Sequence, residues 1–354
     1  MEKQSKIYLA GHSGLVGSTI YRALTNSGYN NIVTREEKEL DLRRQTDVEQ
    51  FFDTERPEYI FLAAAKVGGI VANNTYKAEF IYDNIAICSN VINSAFKFGA
   101  KKLLNLGSSC IYPKFVAQPL REDSLLTGAL EPTNEPYAIA KIVAIKLCSS
   151  YNFQYGTDYI SLMPTNLYGA GDNFNLETSH VVPALIRKFV LAKNLSIGNF
   201  ELIIKDLKSF PLGFKLEQEI DFNDENSVIV TLGKLGITKE SIKLWGTGTP
   251  RREFLHVEDL AAAVLYFMEN HSWSSMGDFI NIGTATDLSI NELAQLIKGI
   301  IGFNGNLEFD HTKPDGTPQK LLDVSRAQLL GWRHKITLEE GIKRTINDYI
   351  LALG

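Results

Sequence analysis

Three features are scarce in this sequence, and each shortage argues against a class of protein. Only 3 of the 354 residues are cysteine, which argues against a disulfide scaffold and predicts a reducing compartment, the cytoplasm. No apolar run approaches the ~20 residues of a membrane helix, and the polar N-terminus does not resemble a secretory leader, so we expect no membrane contact. The 36 basic residues do not exceed the 41 acidic ones, giving a net charge of −5, which argues against a nucleic-acid partner.

The first half of the chain alternates short apolar runs with amphipathic stretches. The pattern predicts strands over residues 6–10, 31–34, 59–65, 102–106 and 159–163, and helices over 16–27, 47–55, 79–98 and 137–155. This alternation predicts an α/β fold with a doubly wound parallel sheet (the Rossmann arrangement) and a smaller α/β substrate domain. We expect residues 1–165 to form the dinucleotide-binding domain, residues near 244–285 to return to it, and residues 166–354 to form mainly the substrate domain.

The pattern is looser after residue 163. Helices are predicted over 180–195, 257–270 and 289–299, and the last begins with a capping-box pattern of Ser289 and Glu292. Residues 196–241 contain several Pro and Gly breakers. We expect them to be irregular, with only partly ordered runs at 200–204 and 228–230.

A glycine-rich turn follows the first predicted strand. Gly11, Gly14 and Gly17 are spaced G-x-x-G-x-x-G and open the first predicted helix. Glycines at such a turn let backbone N–H groups approach a pyrophosphate at the helix N-terminus. The strand–turn–helix context therefore predicts dinucleotide binding.

The residues after the second strand bear on the type of cofactor. An acidic residue there usually binds a ribose diol, whereas an arginine accommodates a 2′-phosphate. Arg35 favours NADP, and the neighbouring Glu36 and Glu37 weaken that preference. Asp41 and Leu42 are expected near the adenine end.

A tyrosine and a lysine share one face of the predicted helix over 137–155. Tyr137 and Lys141 are spaced i, i+4, so the ammonium is expected to lower the pKa of the phenol and make it a proton donor to a carbonyl oxygen. Ser108 follows the fourth strand, where ligands bind in such sheets, and Cys110 lies at the same rim. We expect the other two cysteines, Cys88 and Cys148, to be core residues.

Four runs of residues together resemble the GDP-L-fucose synthase family. They are residues 63–74 (AAAKVGGIVANN), 106–113 (LGSSCIYP), 131–141 (EPTNEPYAIAK) and 313–318 (KPDGTP). The resemblance covers most of residues 1–189 and 244–354. It implies an NADPH-dependent 3,5-epimerase/4-reductase of the extended short-chain dehydrogenase/reductase group, which converts GDP-4-keto-6-deoxy-D-mannose to GDP-L-fucose.

The resemblance also implies roles for individual residues. Ser108, Tyr137 and Lys141 would form the reductase triad, and Cys110 and His180 would exchange protons at C3 and C5. Further cofactor contacts would come from the ends of strands, and substrate contacts from later positions. The cofactor residues are Leu106, Lys141, Pro164, Asn166 and Leu167, and the substrate residues are Lys188, Trp245, Arg252 and Asp315.

Partners follow from the same resemblance. The long helices over 79–98 and 137–155 are expected to pair with their copies in a homodimer, the substrate is a GDP-sugar, and no metal is expected. His256 is interpreted as a structural residue.

The sequence departs from the family pattern in two places that matter. Ser13 and Glu37 stand where relatives often carry basic residues, so Arg35 is left as the expected contact to a 2′-phosphate. Roughly 40 residues near 195–241 have no counterpart in the usual pattern, and we interpret this insertion as a flap near the GDP end.

Several alternatives stay open. The nearest is an epimerase/reductase for a related GDP-4-keto-6-deoxy sugar such as a heptose. A pure reductase would not need both Cys110 and His180, and a 4,6-dehydratase would need an acid pair where Ser109 and Cys110 stand. A non-catalytic nucleotide sensor would not need the triad.

Overall fold

The computed structural model describes residues 1–313 and 315–354, and at residues 70 and 71 only the backbone. Pro314, within the 313–318 run that contributes to the family resemblance, lies outside the described residues. The strands are β1 (Ile7–Ala10), β2 (Ile32–Val33), β3 (Tyr59–Leu62), β4 (Lys102–Leu106), β5 (Tyr159–Pro164), β6 (Asn166–Tyr168), β7 (Ser241–Trp245), β8 (Arg251–His256), β9 (Ile280–Ile282), β10 (Asp287–Ser289), β11 (Asn306–Asp310) and β12 (Gln319–Lys320).

The helices lie before, between and after these strands, in places two or three in succession. They are α1 (Leu15–Asn26), α2 (Gln45–Glu55), α3 (Ile70–Thr75), α4 (Lys77–Lys97), α5 (Glu135–Tyr155), α6 (Val181–Ser196), α7 (Phe200–Ser209), α8 (Glu225–Lys234), α9 (Val257–Asn270), α10 (Trp273–Met276), α11 (Ile290–Ile301), α12 (Ser325–Leu329) and α13 (Leu338–Leu351). None of the helices in the described part of the chain is long and apolar enough to span a bilayer.

Six parallel strands form the central sheet, in the order β2-β1-β3-β4-β5-β9. Side chains alternate between its faces, as strand geometry requires. Leu9 packs on one face with residues of α1 and α9, and Tyr8 packs on the other with residues of α2, α4 and α5. The doubly wound parallel sheet predicted from the sequence is confirmed.

Smaller sheets and a second core lie beside the central sheet. β8 pairs with β6, β10 and β12, and β7 pairs with β11. A separate cluster of buried apolar residues joins α6, α7, α8, α11 and α13 to these strands. β9 lies in the central sheet and α9 packs on α1, so the chain crosses between the two cores more than once. The division near residue 165 stays a prediction.

The expectation of an irregular segment over 196–241 is wrong. This segment holds α7, a 3₁₀ turn at Leu216–Glu219, and α8. The Asn199 side chain caps α7 at the Leu202 N–H, and the Asp224 side chain caps α8. Short capped helices between glycines look irregular in sequence, because each is too brief for a clear 3.6-residue period.

A buried ion pair fixes this segment to α6. Arg187 and Asp206 are both fully buried, and Arg187 Nη2 lies 2.9 Å from Asp206 Oδ1. The guanidinium also donates to the carbonyls of Phe174, Phe210 and Pro211. These contacts hold α7 and the residues directly after it against the second core.

Candidate active site

The glycine turn lies at the carboxyl end of β1 and leads into α1. Gly11 has φ +84°, and a Cβ there would lie 2.7 Å from the backbone of Ala64. A Cβ on Gly17 would lie 1.9 Å from the Gly11 carbonyl oxygen. Gly14 is the N-cap of α1, and the first turn of that helix contains no acidic residue. A close-packed backbone loop at a helix N-terminus suits a pyrophosphate, so the turn fits a dinucleotide.

Arg35, the expected contact to a 2′-phosphate, is paired with an acidic residue of α2. Its Nη2 lies 2.6 Å from Glu55 Oε1, and its guanidinium lies over the ring of Phe51, 5.4 Å from the centroid. Glu36 instead faces the turn, 3.1 Å from His12 Nε2.

A different arginine lies in the depression beyond β2. That depression is lined by Glu36, Glu37, Lys38, Asp41 and Arg43. Arg43 Nε lies 2.8 Å from Asp41 Oδ1, and its guanidinium holds the pKa of Asp41 below the usual range. Sequence reasoning missed Arg43, although it is a basic residue close to the expected adenine site.

The predicted triad gathers where β4 and α5 meet. Ser108 follows the end of β4, and its Oγ accepts a hydrogen bond of 3.4 Å from the Cys110 N–H. Lys141 Nζ donates a hydrogen bond of 2.7 Å to the carbonyl of Leu106. It lies 5.6 Å from the centroid of the Tyr137 ring. The structure therefore brings Ser108, Tyr137 and Lys141 together with the Cys110 rim.

Burial dominates the protonation of these groups. It raises the pKa of Tyr137 and of the Cys110 thiol, and it lowers the pKa of Lys141. The expectation that Lys141 lowers the pKa of the phenol is therefore wrong for the protein by itself. The lysine ammonium is directed at the Leu106 carbonyl, so the removal of Tyr137 from water outweighs its charge.

His180 is the N-cap residue of α6 and remains exposed to solvent. The pKa of its imidazole is lowered by the crowding of surrounding protein and by the charge of Lys320. The charge of Lys320 also acts on Cys110, and there it favours the thiolate. Cys110 and His180 are therefore both influenced by Lys320.

The expected substrate residues occupy different settings. Lys188 Nζ donates 2.8 Å to the Leu235 carbonyl, and burial lowers its pKa to about 8. Trp245 is 54% exposed, with Lys313 Nζ 5.4 Å above its ring. Arg252 lies on β8, and among the described residues its guanidinium donates a hydrogen bond to the Arg251 carbonyl alone.

Asp315 ties two loops together. Its carboxylate accepts hydrogen bonds from the Thr247 N–H at 2.9 Å and from the Thr247 hydroxyl at 2.7 Å. It thereby links the loop after Trp245 to the residues that lead into β12.

The remaining expected positions lie at strand ends or in helices. Pro164 ends β5, and Asn166 and Leu167 lie in β6, where the Asn166 amide donates 2.8 Å to the Glu253 carbonyl. Leu106 ends β4. Leu42 accepts a hydrogen bond of 2.9 Å from the Asn90 amide. The His256 side chain caps α9, and Cys88 and Cys148 are buried in α4 and α5, as expected.

Known proteins resemble this chain over almost all of its length. The NAD dependent epimerase/dehydratase family matches residues 7–209 and 221–283. GDP-L-fucose synthase 1 of Arabidopsis thaliana is 49% identical over 349 residues, covering 99% of this chain and 94% of that protein. GDP-L-fucose synthase of Escherichia coli (strain K12) is 48% identical over 356 residues, covering 99% of this chain and 98% of that protein.

A solved structure extends the likeness to three dimensions. MlghC, the GDP-mannoheptose C4 reductase from Campylobacter jejuni with NADP bound, superposes with a TM-score of 0.88 at 42% identity. The match covers 99% of this chain and 99% of that one. The chain therefore belongs to the NAD dependent epimerase/dehydratase family, and within the extended short-chain dehydrogenases/reductases it groups with the GDP-L-fucose synthases.

Proposed function

We propose that this chain converts GDP-4-keto-6-deoxy-D-mannose to GDP-L-fucose, by epimerising C3 and C5 and then reducing the C4 ketone with NADPH. The observation that carries the proposal is the gathering of the three triad residues and Cys110 at one rim. Ser108, Tyr137 and Lys141 suit a ketone reduction, and Cys110 lies beside them with His180 under the same charge of Lys320. Relatives named GDP-L-fucose synthase at 48–49% identity support the same activity.

The epimerisations use the acidity of carbons beside a ketone. The C4 carbonyl weakens the C–H bonds at C3 and C5, so a base on one face and an acid on the other can invert each centre. Cys110 and His180 fill these roles. The hydroxyls of Ser108 and Tyr137 donate hydrogen bonds to the enolate oxygen as its charge develops.

The reduction uses the same carbonyl-binding groups. The glycine turn and the strand ends would hold NADPH, which would supply the hydride. Tyr137 gives its phenolic proton to the C4 oxygen, and Lys141, held by the Leu106 carbonyl, stabilises the phenolate that results. Asn166, Leu167 and Pro164 line the nicotinamide end.

Two cationic side chains bind the GDP part of the substrate. Arg252 and Lys188 neutralise the diphosphate, because their charges have no carboxylate partner within ion-pairing distance among the described residues. Trp245 presents an exposed ring to the nucleotide or sugar. The 195–241 segment acts as a flap at this end, and the hydrogen bond from Lys188 to the Leu235 carbonyl supports that role. An unchanged KM for the GDP-sugar and an unchanged assembly state after its deletion would exclude the flap.

A homodimer in the cytoplasm completes the proposal. α4 and α5 pack side by side, and their ends expose aromatic side chains. Phe153 is 87% exposed, Tyr155 is 50% exposed and Phe96 is 37% exposed. A paired copy would cover such a cluster, and sedimentation of the purified protein tests this directly.

The second candidate function is epimerisation and reduction of a related GDP-keto-heptose. The close superposition with the Campylobacter heptose reductase favours it. Incubation of the protein with NADPH and each ketone in turn tests the two. Conversion of GDP-4-keto-6-deoxy-D-mannose to GDP-L-fucose, with one NADPH oxidised per product, supports the leading proposal. Turnover of the GDP-keto-heptose and not of GDP-4-keto-6-deoxy-D-mannose would support the second candidate function instead.

A further inference from the structure

A lysine that the sequence did not single out lines the same cavity as Cys110. Lys320 forms the end of β12, which pairs in parallel with β8 so that Lys320 lies opposite Arg252. The cavity beside it is also lined by Ser109, Cys110 and Glu131. Lys320 therefore enters the site from a strand of the second sheet, across from the rim that follows β4.

The ammonium of Lys320 has no hydrogen-bond or ion-pair partner among the described residues. Glu131 is the nearby carboxylate, but it accepts a hydrogen bond of 2.9 Å from the Thr133 N–H, and Lys114 lies 3.7 Å from it. Burial above all, and the neighbouring Arg252, lower the pKa of Lys320, whereas the charges of Cys110 and Glu131 raise it. A partly buried cation without an ion-pair partner favours an anion as its neighbour.

The charged and titratable groups around this point are few. Lys320, Lys141 and the Ser108 hydroxyl act on Cys110, and each of them favours the thiolate against the effect of burial. On His180 the charge of Lys320 acts in the opposite sense and favours the neutral imidazole. Arg252 adds a second positive charge beside Lys320.

We propose that Lys320 is a positioning residue of the epimerisation site, where its ammonium stabilises the Cys110 thiolate and so makes Cys110 the base. This inference rests on the proposed function for the identity of the substrate, but not for the state of the thiol. An opposite charge within ~4–6 Å typically shifts a pKa by ~1–3, enough to decide which group holds the proton.

The proton and electron balance of the step is complete without another reagent. The thiolate takes the proton from C3 or C5, and the electrons of the C–H bond move into the C4 carbonyl to give an enolate. His180, protonated beforehand from the solvent to which it is exposed, gives the proton of its imidazolium to the opposite face of the carbon and is left as the neutral imidazole that Lys320 favours. The Cys110 thiol then returns its proton to solvent, and Lys320 favours that return.

The first test titrates the thiol in the absence of substrate. Thiolate absorbance is followed against pH in the full-length protein and its Lys320→Met and Lys320→Arg variants, each as the difference from the same protein carrying Cys110→Ala. We expect the apparent pKa of Cys110 to rise by about 1 or more in Lys320→Met, a roughly tenfold loss of thiolate, and to recover in Lys320→Arg. Lys146→Met, which removes an equal charge from the α5 surface where Lys146 pairs with Asp278, is the matched control and should not move the titration.

The second test follows solvent deuterium into C3 and C5 of the ketone and the binding of GDP. Lys320→Met should lose deuterium incorporation about tenfold while it binds GDP as the unaltered protein does. An unmoved thiol titration in Lys320→Met would overturn the inference, as would weakened GDP binding with normal deuterium incorporation, since Lys320 would then serve the diphosphate. A moved titration in a protein that never incorporates deuterium would instead leave the inference standing and refute the proposed substrate.

Discussion

Lys141 is bound to the main chain of Leu106, through a hydrogen bond of 2.7 Å from its Nζ to the carbonyl oxygen. The bond joins α5, which carries Tyr137, to the end of β4, after which Ser108 follows. The ammonium therefore lies 5.6 Å from the centre of the Tyr137 ring, and its hydrogen bond goes to the main chain and not to the phenol. This contact is one of several that hold α5 beside the end of β4, since α5 also packs against α4 and β5.

Tyr137→Phe should chiefly remove hydride transfer. Loss of a general acid typically costs ~10²–10⁴-fold in rate, whereas deuterium exchange at C3 and C5 should fall less, because Cys110 and His180 remain. NADPH oxidation and exchange are measured on the same ketone.

Tyr151→Phe is the matched control for that variant. It removes a phenolic hydroxyl from the same helix, one that donates 2.7 Å to Asn93 outside the site. Reduction at the unaltered rate by Tyr137→Phe would contradict the assigned role.

Arg43, rather than Arg35, should select NADPH over NADH. Arg43 lines the depression beyond β2, where it is itself paired with Asp41 and Glu37. Arg35 is paired with Glu55 at 2.6 Å and is not among the residues that line the depression. Hydrogen bonds to charged groups contribute ~1.5–3 kcal/mol, so Arg43→Ala should weaken NADPH binding about tenfold or more and leave NADH binding nearly unchanged. Calorimetry with both cofactors measures this.

Arg35→Ala serves as the comparison for the cofactor test. It should affect NADPH and NADH alike, because Arg35 acts on the position of α2. A loss confined to NADPH in Arg35→Ala, and absent from Arg43→Ala, would restore the interpretation made from the sequence alone.

The sequence predicted the central sheet because buried parallel strands such as 102–106 are short continuous apolar runs, which need no distant partner to be recognised. It predicted Tyr137 and Lys141 for the same local reason, since their spacing on one helix is visible in the chain. The family resemblance added Cys110 and His180, which no periodicity indicates.

Residues whose position depends on long-range pairing were missed. Lys320 lies on a strand of two residues, and only pairing with β8 brings it to Cys110. Arg43 was passed over because the alternation of charges over 35–44 gives no sign of which arginine lines the depression beyond β2. The helices of 200–234 depend on caps and on the buried pair of Arg187 and Asp206, which are separated along the chain and have no shared motif.

Breaking that buried pair should destabilise the second core. Arg187→Met leaves the Asp206 carboxylate buried without its cation, which typically costs ~3–5 kcal/mol. Urea unfolding measures the free energy. The double variant Arg187→Met with Asp206→Leu should recover part of the loss, because it removes the orphaned charge too. Equal stability of Arg187→Met and the unaltered protein would show that the pair does not order the segment.

GDP binding should weaken as the pH rises through about 8. Burial lowers the pKa of Lys188 to about 8, so its positive charge, and its attraction for the diphosphate, is lost above that value. The same shift makes folding stability rise between pH ~8 and ~10.4, the unperturbed lysine value, because only the unfolded chain keeps the proton there. Calorimetric titration with GDP across this range follows the affinity.

Lys188→Met should bind GDP more weakly and without this pH dependence. Lys193→Met is the control on the same helix, since Lys193 donates 2.6 Å to the Ile301 carbonyl and faces away from the site. Retention of the alkaline loss of affinity in Lys188→Met would assign it to another group.

The most direct test of the account is the deuterium content of the product made in D₂O from GDP-4-keto-6-deoxy-D-mannose and NADPH. The account predicts GDP-L-fucose with solvent deuterium at both C3 and C5, since both C–H bonds are broken before the ketone is reduced. A 6-deoxy sugar with protium at both carbons and the original configuration at each would contradict it, because the protein would then be a C4 reductase alone.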